Sequence, residues 1–191
     1  MDAPTIARKR FTAQEFQQMD AAGIFGEEER LELLAGDVIE IAPPSPPHAA
    51  SVTRLTKELF EQIADRASIR VHGPICLERF SMPLPDIAVL RWRDDFYAGG
   101  HPEPEDVLLL IEVSESLAYD RDVKLPLYAR AGIAEVWLVV LLSQVVEVYR
   151  APNENGYGEK RTMRRGDTVS PLHLPEVVLR VDEMIGERRQ S

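Results

Sequence analysis

The sequence predicts a mixed α/β fold (α+β mixed), with a central mixed sheet flanked by helices, an N-terminal hairpin and a β-rich C-terminal extension. Two nearly continuous apolar runs, Val107–Val113 and Val136–Val140, are typical of strands that are covered on both faces. A helical pattern between them indicates a parallel crossover. Shorter apolar runs that are separated by Gly, Asn or Pro turns indicate antiparallel hairpins.

The N-terminal part predicts a short helix and then a hairpin. Thr12 and Glu15 form a capping box, which favours a helix from residue 13 onwards. Leu31–Leu34 and Val38–Ile41 are strand-like runs around the turn Ala35-Gly36-Asp37. We expect this hairpin to lie at one edge of the central sheet.

The middle of the chain predicts one long helix followed by strands. Ser45 is a suitable N-cap and Pro46 fits the first helical position, so the helix should run to about Arg66. Strands are expected within residues 69–80, at Asp86–Trp92 and at Val107–Val113.

The second half predicts a helix at 121–131 and then mostly strands. Val136–Leu142 and Val145–Tyr149 should form a hairpin, and Asn155-Gly156 marks a further turn. A weaker strand is predicted at Val177–Val181.

Length and composition favour one cytoplasmic domain. The 191 residues, 45% of them apolar, suffice for one sizeable core. We therefore expect a single domain over residues 1–191, with flexible tails at 1–10 and 186–191. Cys76 is the only cysteine, which excludes an internal disulfide and a cysteine-based zinc cluster and fits a reducing compartment. No apolar run approaches the roughly 20 residues of a membrane span.

Two carboxylates stand where a predicted strand meets polar chain. Asp86 opens an apolar strand, and Glu112 follows five apolar residues. A carboxylate in such a position is costly unless it is paired or binds a metal. If the two strands are neighbours, both side chains can converge on one hard cation such as Mg²⁺, with oxygen contacts of about 2.0–2.1 Å.

A lysine and a serine belong to the same candidate site. Strand alternation puts Ser114 on the face that carries Glu112. The following helix brings Asp120, Asp122 and Lys124 back toward that end of the sheet. Lys124 can then stabilise negative charge on a reacting phosphate and help to position the attacking water.

Several segments together resemble one protein family. They are Pro85-Asp86, Glu112-Val113-Ser114, Tyr119-Asp120-Arg121, Lys124-Leu125, Arg130-Ala131-Gly132-Ile133 and Glu135-Val136-Trp137-Leu138-Val139, with Leu31–Val38 and Pro44-Ser45-Pro46-Pro47-His48 before them. This pattern resembles the Uma-type family of restriction endonuclease-like proteins, a branch of the PD-(D/E)XK nuclease superfamily. Gly166-Asp167 and residues 171–179 also fit, so the resemblance covers nearly the whole chain.

The resemblance implies a restriction-endonuclease-like core and a Mg²⁺-dependent DNA endonuclease, in which Mn²⁺ can substitute. Asp86 and Glu112 would ligate the metal, Lys124 would serve as the catalytic lysine, and Glu32 would be a further acidic member. The wider superfamily has a lysine two residues after the second carboxylate, where this chain has Ser114. The resemblance implies that the lysine has moved onto the helix. Because duplex cleavage usually needs two sites, we expect a homodimer.

Plainer interpretations of the three main residues remain open. Asp86 can be a turn aspartate after a proline. Glu112 can pair with an arginine at a strand end, although ligation explains its position better. Lys124 lies in a charged helix start, where most lysines are solvated or form short-range pairs.

The additional candidates have plainer interpretations as well. Glu32 and Glu40 alternate with apolar residues, which favours a solvent-facing side of the hairpin. His48 is better explained as a polar residue of the first helical turn than as a member of the site. The other histidines show no metal-binding spacing: His72, His101 and His173.

The charge keeps a second function open. The 22 basic and 32 acidic residues give a net charge of −10, which argues against binding nucleic acid through bulk positive charge. Metal-dependent nuclease sites are themselves acidic, and basic residues cluster locally at 8–10, 121–124 and 160–165. The alternative is a non-catalytic DNA-binding or assembly module on the same fold, associated with mobile elements. A third possibility is a nuclease that acts on RNA or on branched DNA, and nothing in the sequence distinguishes these substrates.

Overall fold

The N-terminal part forms a small unit of one helix and one hairpin. A computed structural model describes residues 7–26, 28–115 and 119–186. Helix α1 (Ala13–Ala21) begins at Thr12, whose capping box with Glu15 is present as predicted. Strands β1 (Leu31–Leu34) and β2 (Asp37–Glu40) pair antiparallel around a turn in which Gly36 has a φ of +89°. A side chain at Gly36 would also meet Arg10, so this turn needs glycine for conformation and for space.

The predicted position of this hairpin at the sheet edge is wrong. β1 and β2 form a two-stranded sheet of their own, joined to the rest of the chain by a bridge between Leu33 and Met82. Leu33 packs with Phe16 and Met82 in a separate apolar cluster. The hairpin therefore buries its apolar side against α1 and the loop before residue 86 instead of extending the central sheet.

The long helix and the central sheet follow. Helix α2 (Pro46–Ile63) is capped by the Ser45 side chain, as predicted, and continues as a 3-10 turn to Arg66. Six strands then form one sheet whose spatial order equals their chain order. They are β3 (Ala67–Val71), β4 (Ile87–Arg91), β5 (Val107–Ser114), β6 (Glu135–Val140), β7 (Val145–Asn153) and β8 (Gly156–Arg164).

The sheet is mixed, as predicted. Only β5 and β6 are parallel among the strands of the central sheet, and the segment between them carries the predicted crossover helix. That helix begins as a π-helical turn, Asp120–Lys124, and continues as α3 (Leu125–Arg130). Pro126 offers no N–H to the preceding turn, and its ring would clash with the carbonyl four residues earlier in an α-helix. The wider turn before Pro126 relieves both problems.

Apolar side chains cover both faces of the sheet. One cluster joins α2 to alternate residues of β4, β5 and β6, and the other joins α3 to the residues between them. All eight residues of β5 are buried, which explains its continuous apolar run. Glu112 therefore lies inside the fold, on a strand with no solvent-facing side.

The C-terminal part closes over α2. Short strands β9 (Thr168–Val169) and β10 (Leu179–Arg180) pair antiparallel, and helix α4 (Val181–Ile185) follows. The predicted strand Val177–Val181 is thus mostly wrong, because only Leu179 and Arg180 are extended in a ladder. Residues 1–6 and 187–191 of the predicted tails lie outside the described residues.

Candidate metal centre

The register of two strands brings the two predicted carboxylates together. β4 and β5 run antiparallel with Ile87 opposite Ile111, so Asp86 and Glu112 are neighbours across the ladder. The Asp86 N–H lies 3.4 Å from Glu112 Oε2, and the Val113 N–H donates to Asp86 Oδ2 at 2.8 Å. Asp86 is 9% exposed and Glu112 is 3% exposed. The two strands are therefore neighbours, which was the condition for both side chains to converge on one cation.

Lys124 reaches the same carboxylate from the π-helical turn. Its Nζ lies 3.2 Å from Glu112 Oε1, 3.3 Å from Glu32 Oε2 and 3.3 Å from the Leu84 carbonyl oxygen. Lys124 is 5% exposed, so its interpretation as a solvated surface lysine is wrong. The ammonium group is instead shared between two buried acids.

Glu32 is fully buried beside Lys124. Its Oε1 accepts a hydrogen bond from the Tyr119 hydroxyl at 2.6 Å, and its Oε2 accepts one from the Leu84 N–H at 3.0 Å. The expectation that Glu32 faces solvent is wrong, whereas Glu40 on the same hairpin is exposed as expected. The hairpin thus places Glu32 beside Lys124 while forming a sheet of its own.

Tyr128 supports Glu112 from helix α3. Its hydroxyl donates to Glu112 Oε1, the oxygen that also contacts Lys124. Tyr128 is fully buried. Its polar contact with Glu112 was not predicted, since the sequence does not reveal which aromatic residues of α3 face β5.

Two histidines contact Asp86 from the other side. His48 Nε2 forms a hydrogen bond with Asp86 Oδ1 at 3.0 Å, and His72 Nε2 lies 3.3 Å from the same oxygen. Sequence reasoning kept His48 only as an additional candidate, better explained as a polar residue of the first helical turn, and set His72 aside for lack of metal-binding spacing. The pairing of Val71 with Ile87 places His72 directly opposite Asp86, a signal that becomes visible once the β3–β4 register is known.

The site opens into a cleft of about 250 Å³. Asp86, Glu112 and Lys124 line it together with Ser114 and His48. Ser114 is 2% exposed, and its hydrogen bond to Asp120 favours the charged form of that carboxyl group. Burial is the larger influence, and it raises the pKa of Asp120.

The acid groups have opposite electrostatic environments. Burial opposes ionisation of Asp86, but the hydrogen bond from His48 and the contact with His72 hold its pKa well below the usual range. Burial raises the pKa of Glu112 to about 8, against the attraction of Lys124. Burial also disfavours the charged form of Lys124, yet the charges of Glu112 and Glu32 raise the pKa of that ammonium group. Two neighbouring carboxyl groups with separated pKa values are a typical feature of functional sites.

Comparisons with known proteins identify a family and a fold for this chain. Residues 13–182 match the family described as "Uma2: Putative restriction endonuclease". A crystal structure of a putative nuclease belonging to DUF820, from Anabaena variabilis ATCC 29413, superposes with a TM-score of 0.71 at 18% sequence identity, over 92% of this chain and 97% of that chain. No curated protein matches the sequence significantly.

The structural likeness shows that this chain has the fold of that protein. None of the helices in the described residues is long and apolar enough to cross a membrane.

The family match covers most of the chain, including every residue of the candidate site, and confirms the resemblance that the sequence motifs indicated. The chain therefore belongs to the Uma2 family of restriction endonuclease-like proteins.

Proposed function

We propose that the protein is a metal-dependent endonuclease that hydrolyses phosphodiester bonds in DNA, with Mg²⁺ as its cofactor and Mn²⁺ as a substitute. The observation that carries this proposal is the convergence of Asp86, Glu112 and Lys124 at one cleft. Three separate elements supply them, and Glu112 faces Lys124 with one oxygen and the Asp86 N–H with the other. Membership of the family supports the same class of reaction.

The donor set of Asp86 and Glu112 fits a divalent cation. Hard cations prefer carboxylate oxygens. The raised pKa of Glu112 is the behaviour of a buried carboxyl group without enough compensating positive charge, a deficit that a cation removes. When bound, the metal would activate a water molecule and neutralise charge on the scissile phosphate.

The chain's own residues have distinct tasks in this proposal. Lys124 keeps its proton and presents a positive charge at the cleft wall, where it stabilises the charge that develops on phosphate oxygens. Tyr128 and Lys124 together hold Glu112 Oε1, and the Val113 N–H holds Asp86 Oδ2. These contacts orient both carboxylates before substrate arrives, which lowers the cost of reorganisation during the reaction.

The direct test is cleavage of supercoiled plasmid and of single-stranded DNA in the presence of Mg²⁺ or Mn²⁺. We expect metal-dependent cutting by the wild type and a loss of about 100-fold or more in the variants Asp86→Asn and Lys124→Gln. Lys57→Ala, which changes an exposed lysine on α2, is the matched control and should cut normally. Full activity of a folded Asp86→Asn variant would refute the assignment.

A non-catalytic module that binds DNA or serves in assembly is the second candidate, and two observations favour it. The net charge is −10, and Ser114 stands where the wider superfamily pattern has a lysine. Thermal unfolding with and without Mg²⁺ or Mn²⁺ separates the two functions, because a ligand that binds the native state raises its stability. A working site predicts a metal-dependent shift that disappears in Asp86→Ala and Glu112→Ala, whereas a metal-free module predicts no shift in any variant.

We also propose that the active form is a homodimer, since two sites are needed to cut both strands of a duplex in one encounter. Light scattering on the purified chain, at several concentrations and with duplex DNA added, tests this. A monomer under all these conditions, with nicking of one strand only, would contradict the dimer and leave the hydrolytic site intact.

A further inference from the structure

We propose that His48 and His72 join Asp86 as ligands of the metal, and that the site therefore prefers a first-row transition ion such as Mn²⁺ to Mg²⁺. This inference rests on the proposed function, because Asp86 belongs to both, and it changes the preferred ion of that site from Mg²⁺ to Mn²⁺. It concerns two imidazoles that are not among the metal ligands of the proposed function, which are the carboxylates of Asp86 and Glu112.

The three residues come from three separate parts of the chain. His48 lies in the first turn of α2, His72 follows the last residue of β3, and Asp86 precedes β4. Their potential donor atoms all lie within 4.8 Å of one another. Among the residues that the structure describes, these three therefore have the geometry to hold one metal ion. Backbone pairing fixes two of the three positions, since the His72 N–H donates to the Asp86 carbonyl oxygen at 3.1 Å.

The distances suit neighbouring ligands of one ion. Bonds of roughly 2.0–2.2 Å between a metal and nitrogen or oxygen place adjacent ligand atoms about 3.0–3.5 Å apart, depending on the coordination geometry. The two histidine nitrogens lie 3.0 and 3.3 Å from Asp86 Oδ1. An ion can therefore be accommodated with small movements of side chains alone.

Hydrogen bonding explains only one of the two histidines. His48 has a well-formed bond to Asp86, but the buried Nε2 of His72 makes no hydrogen bond with any residue that the structure describes, despite its short distance to Oδ1. Buried polar atoms almost always have a partner, and an exception calls for an explanation such as a bound ion. A metal would give this nitrogen a bond that the 3.3 Å contact with Asp86 does not provide.

The ligand types decide which ion is favoured. Mg²⁺ requires nearly octahedral oxygen coordination and keeps several waters. Imidazole favours transition ions, whose affinities for a mixed nitrogen and oxygen site also exceed that for Mg²⁺. Two neutral imidazoles beside Asp86 thus shift the selectivity of the site toward Mn²⁺ and the later divalent ions of the first transition row.

The test is metal binding to the full chain, without DNA. Calorimetric titration gives the affinities for Mn²⁺ and Mg²⁺, and spin-echo modulation in the electron paramagnetic resonance of bound Mn²⁺ detects directly coordinated ¹⁴N. We expect Mn²⁺ to bind at least about tenfold more tightly than Mg²⁺, with clear ¹⁴N modulation. In His72→Asn and in His48→Asn, the Mn²⁺ affinity should fall about tenfold or more, the modulation should weaken, and Mg²⁺ binding should change little.

The choice of variants separates ligation from folding. Asparagine tolerates the φ of +50° at His72, so this substitution removes the imidazole without new backbone strain. His101→Asn is the matched control, because His101 lines a pocket beside His72 but is not part of the three-residue group. It should keep the affinity and the modulation of the wild type.

The outcomes also distinguish this inference from the proposed nuclease function. If Mn²⁺ binds without ¹⁴N modulation, and both histidine variants bind it normally while Asp86→Ala does not, the site is made of carboxylates alone. That result overturns the histidine ligation and leaves the nuclease function standing. If the wild type binds no divalent ion, both proposals are refuted.

Discussion

Glu112 is the residue whose charge depends most directly on what the cleft contains. Burial raises its pKa, so in the metal-free protein it keeps its proton to a higher pH than an ordinary carboxyl group does. Metal binding needs the carboxylate and so releases its proton. Asp86 behaves differently, because its pKa is held low and it is charged throughout this range.

We predict that the affinity for Mn²⁺ rises with pH between about 6 and 8, by up to about tenfold per unit for each proton released. The sign follows from the raised pKa of Glu112, since protons compete with the metal below it. The pKa of His48 is also raised, by its hydrogen bond to Asp86, and this adds a second proton in the same direction. Titration calorimetry at several pH values measures the slope. Glu112→Gln should reduce it by about one proton, and an unchanged slope in that variant would contradict the assignment.

Tyr128 permits a second test at the level of one residue. Tyr128→Phe removes only the hydroxyl that donates to Glu112 and leaves the packing of α3 intact. We expect a loss of about 1–3 kcal/mol in the free energy of unfolding, measured by denaturant titration, because a buried polar group loses its partner. We also expect weaker binding of Mn²⁺ at pH 7, because this hydrogen bond lowers the pKa of Glu112.

Tyr157→Phe provides the control for that experiment. The Tyr157 hydroxyl donates to the Ile133 carbonyl oxygen at 2.9 Å, away from the cleft. Its removal should lower stability to a similar or smaller degree without changing metal affinity. Equal losses of metal affinity in both variants would show that the effect of Tyr128 is not specific to Glu112.

At the level of elements, the π-helical turn Asp120–Lys124 determines where Lys124 points. Arg121 anchors this turn to the sheet, with both oxygens of Glu147 on β7 within 2.8 Å of one of its terminal nitrogens. Glu147 also contacts Lys160 on β8 at 2.8 Å. The buried carboxylate of Glu147 thus connects the crossover segment to strand β7 of the sheet. π-Helical turns of this kind occur frequently at functional sites.

We predict that Glu147→Gln lowers the free energy of unfolding by about 1–3 kcal/mol at pH 7, a range that allows for the partial exposure of Arg121 and Lys160. Burial opposes ionisation of Glu147, but the hydrogen bonds that it accepts from Lys160, Tyr149 and Arg121 lower its pKa. A lowered pKa gives stability that is complete above the unfolded value and is lost as pH falls through the folded value. The difference in the free energy of unfolding between variant and wild type should therefore become smaller as the pH falls from 7 to 3.5.

Glu159→Gln is the matched control, because Glu159 is an exposed carboxylate on the neighbouring strand β8. Its free energy of unfolding should stay within about 0.5 kcal/mol of that of the wild type. A difference for Glu147→Gln that does not depend on pH would mean that packing, and not the charge of Glu147, is responsible.

At the level of the whole molecule, the C-terminal segment completes the core on the α2 face of the sheet. Val177, Val181 and Met184 are buried against α2 and the strands. Ser51, inside α2, donates a hydrogen bond to the Met184 carbonyl oxygen at 2.6 Å. The last described part of the chain thus stabilises the helix that presents His48 to the cleft.

Two adjacent valines test this arrangement. Val177 is fully buried and Val178 is 46% exposed. We expect Val177→Ala to cost about 2 kcal/mol in the free energy of unfolding, since two methyl groups are lost and a cavity remains. Val178→Ala should change it by less than about 0.5 kcal/mol. Denaturant titration measures both, and equal effects would contradict the described packing.

The sequence by itself determined most of the helices and strands and pointed to the main residues of the candidate site. Capping residues located α1 and α2, the apolar runs located β5 and β6, and the family motifs pointed to Asp86, Glu112 and Lys124. These signals are local, because helix caps, strand periodicity and motif spacing act over a few residues. The family match over residues 13–182 confirms the resemblance that these motifs indicated.

Only the tertiary structure decided the surroundings of those acids. It turned Glu32 inward, brought His48 and His72 against one oxygen of Asp86, and placed the hairpin outside the central sheet. Each of these contacts joins residues that lie far apart in sequence. They depend on strand register and on the packing of whole elements, where a shift of one residue would turn each side chain to the opposite face.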